Sequence, residues 1–270
     1  MSQRFIRRGR VRIAYELLGD GPLVALVQGL GLPGRMWLGL SGGLVKSGHS
    51  VIVPDNRGTG SSDAPLPPYR MGTLADDLAA VLEDAARGPA LVVGISLGGM
   101  IAQHLALRHP RRVSGLVLAA TTCGPPVGTL PNLRLLPPMV RSLAGDARAL
   151  GQLRRLLVNP QTLARTPRLF DEWDRQMSRQ AWRWSGFAGQ LAAAALHSTG
   201  LSLGRVRCPV EVIAGDADRI VPPVNSRILA RRIPAAALTL VPGAGHAFPL
   251  EAPAALPAAI RRVAARMDVS

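Results

Sequence analysis

The chemistry of this chain is concentrated in three loops. The first is Gly94-Ile95-Ser96-Leu97-Gly98-Gly99, between an apolar run, Ala90-Leu91-Val92-Val93, and a helix-like stretch from Met100 to Leu107. A G-x-S-x-G motif placed strand–turn–helix is the signature of a nucleophile elbow. Its turn is so sharp that the serine takes a strained backbone conformation, and the flanking glycines leave room for strand and helix to pack closely. A serine hydroxyl is a weak nucleophile until a base takes its proton, and the base needs an orienting third group, usually a carboxylate. His246 lies in the second loop, Pro242 to Phe248, and Asp218 in the third, Gly215 to Pro222, where Asp216 stands two residues away. Each loop follows a short apolar run, and the chain order Ser, Asp, His is the one that accompanies this elbow.

Three such loops need a scaffold that brings them to one edge. Apolar runs of strand length alternate with helical patterns, which implies a mostly parallel, eight-stranded-type sheet flanked by helices, an α/β architecture. Strands are expected at Val11–Leu18 (paired with Arg4–Arg7 in a hairpin), Leu23–Val27, Ser50–Pro54, Ala90–Ile95, Val113–Leu118, Val210–Ala214 and Ala237–Val241. Helices are expected at Trp37–Ser47, Thr73–Ala86, Leu97–Arg108, Val224–Arg232 and Pro253–Met267. The helix at Thr73 is read with Gly72 or Thr73 near its N-cap and with Asp76 and Asp77 in its first turns. The alternation breaks at Thr121. Gly124 to Pro138 is rich in Pro and Gly, and Arg141 to Gly200 reads as several helices without strands. We read residues 1–270 as one domain carrying a helical cap insertion, residues 124–203.

With these elements placed, the chain resembles the α/β-hydrolase fold family from about Ala14 to Met267. The family's G-x-x-D loop matches Gly215 to Asp218, which selects Asp218 over Asp216 as the acid. Its G-x-G-H loop matches Gly243 to His246. Its D-x-R-G-x-G-x-S segment is present as Asp55 to Ser62, where the resemblance implies that Asp55 and Arg57 hold turns near the site. An oxyanion hole needs two backbone N–H donors preset where negative charge develops. They are read as Leu97, which follows the serine, and Leu30, in the loop Gln28-Gly29-Leu30-Gly31. Many relatives carry histidine at Gln28, and relatives often have histidine at Ile95. Gln28 retains the ability to hydrogen-bond the loop. The stretches Gly98–Gln103, Leu107–Pro110 and Arg112–Val113 are similar to enol-lactonase-like and methylesterase-like members. The resemblance implies a serine hydrolase that cleaves a carboxylic ester or lactone through an acyl-enzyme, with catalytic Ser96, Asp218 and His246 and no cofactor. A serine at the elbow argues against epoxide hydrolases and haloalkane dehalogenases, which use aspartate there. Two readings stand beside it: thioester hydrolysis or polyketide-type product release on the same residues, and a non-enzymatic ligand receptor.

Composition bounds the rest. The 270 residues suffice for a large core, and 47% are hydrophobic but only 4% aromatic, so the core is built from Leu, Val, Ala and Ile. A net charge of +15 would suit nucleic acid. Lys46 is the sole lysine, however, and the arginines are scattered without interleaved aromatics, so nucleic-acid binding is not expected. The one regional enrichment is Arg134 to Arg183. The chain shows no secretory signal, no run of about 18 apolar residues that would span a membrane, and no H-E-x-x-H or His/Cys metal cluster. Cys123 and Cys208 are far apart and read as buried thiols in a reducing cytoplasm. Oligomeric state is left open.

Of the other histidines, His49, His104, His109 and His197 read as structural, with His197 also a candidate for substrate contact from the cap. Trp173, Trp182, Trp184 and Phe187 concentrate aromatics in the cap and are candidates for an apolar acyl pocket. Arg154, Arg155, Arg179 and Arg183 read as a solvated face, with recognition of a substrate carboxylate as the alternative.

Overall fold

A computed structural model describes residues 3–129, 131–132, 136–143, 146–178, 183–234 and 236–267. Arg134, Arg179 and Trp182 lie outside these residues. The strands are β1 (Gln3–Arg8), β2 (Val11–Leu18), β3 (Leu23–Val27), β4 (Ser50–Pro54), β5 (Ala90–Ile95), β6 (Val113–Ala119), β7 (Val210–Gly215) and β8 (Ala236–Val241). They form one eight-stranded sheet in the order β1-β2-β4-β3-β5-β6-β7-β8. The pairs β1–β2 and β2–β4 are antiparallel. The pairs from β4 through β8 are parallel.

The sequence explains this order. β3, β4 and β7 are buried along their whole length. Near-continuous apolar runs of this kind suit strands covered on both faces. β1 carries Arg4, Arg7 and Arg8, charges that discourage further pairing at the sheet edge. β3 has β4 on one side and β5 on the other, so the chain reverses its winding direction there. In open α/β sheets, ligands bind at such a switch point, beyond the carboxyl ends of the strands. The loops after β3 and β5 are the Gln28 loop and the Ser96 elbow.

Helices cover both faces. α2 (Met71–Ala85), α3 (Leu97–Arg108) and α9 (Val224–Arg232) pack on one side, through Leu78, Leu82, Ile101, Leu105 and Leu229. α1 (Gly39–Lys46) and α11 (Ala255–Met267) cover the other, through Leu44, Leu256, Ile260 and Val263. A short helix, α10 (Phe248–Glu251), follows the His246 loop. The helix expected over Trp37–Ser47 is split. A 3-10 turn at Gly34–Trp37 ends at Leu38, whose φ of 51° and ψ of −126° no helix continues, and α1 begins at Gly39. α2 starts earlier than its sequence pattern suggests, with Arg70 as N-cap, so Asp76 and Asp77 fall beyond its first turn. Their positions serve ion pairs instead. Asp77 takes both a bidentate bond from Arg57 and one from Arg8, and Asp76 binds Arg108 and His109.

Between β6 and β7 the described chain is helical: α4 (Leu136–Leu143), α5 (Ala147–Leu157), α6 (Pro160–Arg165), α7 (Asp171–Met177) and α8 (Trp184–Ala195). Capping chemistry places two of these starts. The Asp146 carboxylate accepts from the Arg148 and Ala149 N–H groups, and Asn159 accepts from Gln161 N ahead of Pro160. Among the described residues no helix is long and apolar enough to cross a membrane.

Candidate active site

Ser96 sits at φ 54° and ψ −116°. A non-glycine residue there carries strain on the order of 1–3 kcal/mol, held only where the surroundings enforce it. Here they do. Ser96 N donates to Ala119 O at 2.9 Å, and Thr121 Oγ1 donates to Ser96 O at 2.7 Å. The motif glycines permit the turn by what a side chain would strike. A Cβ on Gly94 would lie 2.3 Å from Gly98 O, and one on Gly98 would lie 2.1 Å from Val27 O. The start of α3 is thereby pressed onto the end of β3.

That contact also brings the Gln28 loop to the serine. A Cβ on Gly29 would lie 3.4 Å from Ser96 Cβ and 4.0 Å from its Oγ. Gln28 keeps its side chain within the loop, accepting from Gly29 N at 3.1 Å, while Asn56 Nδ2 donates to the Gln28 carbonyl at 3.1 Å. Neither the Leu30 N–H nor the Leu97 N–H has an acceptor among the described residues. Asp55 holds turns, as the resemblance implies, whereas the Arg57 side chain binds Asp77 on α2 instead of a turn. Asp55 accepts from Gly34 N and Ser61 N at 2.8 Å each, and burial pushes its carboxyl above the usual range despite these donors.

Asp218 and His246 meet directly, with Asp218 Oδ2 2.8 Å from His246 Nδ1. Asp218 is 4% exposed, and its other oxygen accepts from Ile220 N and Val221 N at 2.8 and 2.9 Å. The carboxylate is thus fixed and fully ligated. Asp216 is exposed and binds Gly243 N at 2.7 Å, which makes it a brace between the two loops. The histidine's loop is tied down from the helical segment. Ala247 N donates to Leu157 O at 2.7 Å. Glu251 receives both Gly245 N, at 2.6 Å, and Asn159 N, at 2.9 Å.

Ser96, Leu30, Leu97 and His246 all line one cavity of about 1430 Å³. Its walls are largely apolar, with Leu153, Phe170, Trp173 and Phe187 from the helical segment and Trp37 from the 3-10 turn. Among the described residues Ser96 and His246 share this cavity without a direct hydrogen bond between them. Trp173 and Phe187 therefore stand where an apolar pocket requires them, whereas Trp184 is 48% exposed. Arg155 and Arg183 are exposed, but Arg154 is a cavity residue, paired with Asp174 and stacked 5.3 Å from the Phe170 ring centre.

His197 is not a pocket residue. It is 2% exposed behind α3, with Nε2 3.0 Å from Thr122 O and its ring 5.3 Å from that of His104. Burial pushes both imidazoles down to about 4. Cys123 is buried, but Cys208 is half-buried, and desolvation still raises its thiol to about 11. Among the described residues no cluster of three or more metal-ligating side chains exists. Two wall and frame residues escaped sequence reading. Trp37 carries no motif. Gln190 is a fully buried amide within an alanine-rich stretch, and its polarity there was the available signal.

The fold and these loops define a hydrolase scaffold, and residues 22–253 match the family model described as alpha/beta hydrolase fold. The chain belongs to the α/β-hydrolase fold family and is a hydrolase. It is 34% identical to rhodomycin D methylesterase DnrP of Streptomyces peucetius, over 96% of this chain and 97% of that one. It is 30% identical to a putative carbamate hydrolase, RutD, of Variovorax paradoxus, over 86% and 88%. Among solved structures, a thermophilic esterase from Thermogutta terrifontis superposes with a TM-score of 0.82 at 27% identity, covering 99% of each chain.

Proposed function

We propose that this chain cleaves a carboxylic ester or lactone by two-step acyl transfer at Ser96. The observation that carries the reading is the buried Asp218–His246 bond beside a cavity lined by Ser96, Leu30 and Leu97, the last two with backbone N–H groups that have no acceptor among the described residues. Asp218 fixes His246 with its proton on Nδ1, leaving Nε2 to take the Ser96 proton. Ser96 Oγ attacks the carbonyl carbon, and the oxyanion accepts from Leu30 and Leu97 N–H. Collapse expels the alcohol, which takes its proton from His246. Water, activated by the same histidine, then hydrolyses the acyl-enzyme and regenerates Ser96.

Residues 124–203 act as a cap that shapes the pocket. At about 1430 Å³ the cavity exceeds the roughly 300–1,000 Å³ of ordinary small-molecule sites, so a bulky apolar ester fits better than a short one. The similarity to a methylesterase makes the methyl ester of a bulky apolar acid the substrate to try first. The test is labelling by a fluorophosphonate probe alongside p-nitrophenyl ester hydrolysis. Wild type labels at Ser96 and turns over. Ser96→Ala does neither, with an unchanged circular dichroism spectrum. Hydrolysis surviving in a folded Ser96→Ala variant overturns the assignment.

A further inference from the structure

α8 has two working faces. Phe187, Leu191 and Ala194, spaced i, i+4, i+7, line the cavity. Gly186, Gly189, Gln190 and Ala193, on the neighbouring face, are buried against the sheet side of the molecule. The docking is backbone-close. A Cβ on Gly186 would lie 2.2 Å from Gly58 O, and one on Gly189 would lie 2.6 Å from the Tyr69 ring. These two glycines let the helix sink far enough for one side chain, Gln190, to reach two backbone groups at once. Its Oε1 accepts from Gly31 N at 2.8 Å, and its Nε2 donates to Arg57 O at 2.8 Å. Gln190 has no exposed surface. Gly31 adjoins Leu30, which lines the cavity and whose N–H has no acceptor among the described residues.

We propose that Gln190 is a positioning residue for the oxyanion loop, and that α8 links substrate contact in the cap to the placement of the Leu30 N–H. This rests on the acyl-transfer reading above. The loop after β3 is also held at Gln28, through Asn56, and by the turn bond from Leu32 N to Gly29 O at 3.2 Å. Gln190 secures its far side. The second bond, to Arg57 O, anchors the amide so that its oxygen cannot rotate away from Gly31. Arg57 is itself fixed by its bidentate pair with Asp77, at 2.8 Å for each bond. A one-ångström error in a catalytic donor is enough to cost about 100-fold in rate.

The experiment compares wild type, Gln190→Met and Gln190→Glu on an ester that wild type hydrolyses, with rates expressed per site titrated by fluorophosphonate. Gln190→Met removes both bonds at similar volume, and kcat per titrated site falls by about 10- to 100-fold with KM changed less than about threefold. Inhibition by a trifluoromethyl ketone, which forms an oxyanion on Ser96, weakens in proportion to kcat/KM. Gln190→Glu keeps the oxygen facing Gly31 and recovers part of the lost rate. A purely structural role lowers the number of titratable sites and leaves the rate per site alone. Wild-type kcat per site in Gln190→Met overturns the proposal. If instead wild type neither labels nor hydrolyses, it is the acyl-transfer reading that fails.

Discussion

Acidification should unfold this protein partly through His197, and replacing that one residue should flatten the response. The Thr122 carbonyl only accepts, so the His197 Nε2 bond at 3.0 Å places the ring proton on Nε2. Nδ1 is buried without a partner among the described residues, so a second proton meets no acceptor there. Burial, then the nearby His104 ring, hold the imidazole down at about 4 against the opposing pull of the Thr122 bond, compared with 6.5 when it is free in the unfolded chain. The unfolded state therefore binds the proton first. The contribution of neutral His197 is intact above 6.5 and is lost as the pH falls from there towards about 4. Linkage sets the loss near 2 kcal/mol at about pH 5 and near 3 kcal/mol at about pH 4. His197→Gln keeps an N–H where Nε2 donates and cannot titrate. Urea unfolding at about pH 7 and pH 5 measures the difference. His197→Gln starts less stable at neutral pH but loses about 2 kcal/mol less than wild type over the interval. An identical acid loss in both proteins would refute the reasoning. His104 reinforces the effect in wild type, since burial and the Arg108 charge lower it against the opposing pull of Asp76.

Two further outcomes follow from the loops. Asp218→Asn, whose Oδ1 stays with the Ile220 and Val221 N–H donors, turns an NH2 group to His246 Nδ1 and should lower kcat by about 1,000-fold or more, whereas Asp216→Ala, which loses only an exposed brace to Gly243 N, should stay within about threefold of wild type by ester hydrolysis. Gly245→Ala places a Cβ 2.6 Å from Leu157 O and 2.9 Å from Val158 Cα, so thermal unfolding should show a loss of about 1–3 kcal/mol, with kcat reduced because the His246 loop moves with it.

Much of the scaffold was legible because its signals are local. Seven of the strands announce themselves as short apolar runs, and the elbow, the Asp218 loop and the His246 loop each carry glycines that only tight turns require. The resemblance to the family's G-x-x-D loop selects Asp218 over Asp216, and it is Asp218 that bonds His246 at 2.8 Å. Where the reading went astray, partners distant in sequence decided. Asp76 and Asp77 resemble first-turn acids on a helix dipole, yet α2 begins at Met71 and they answer to arginines and a histidine. Of the two readings of His197 the structural one holds, and the alternative of substrate contact falls away because the ring turns into the protein behind α3. Trp37 and Arg154 reach the cavity from segments whose patterns mark neither as a wall.

The sequence by itself determined the sheet, the three loops and the residue types at their tips, because strand burial and turn geometry act over a few neighbours. Tertiary structure alone decided the volume of the cavity, which side chains line it and how its loops are braced. Gln190 shows the reason: its two bonds reach Gly31 and Arg57, each more than a hundred residues away along the chain. No periodicity records a partner at that separation. Only the close approach that Gly186 and Gly189 permit brings the amide to both carbonyl and N–H.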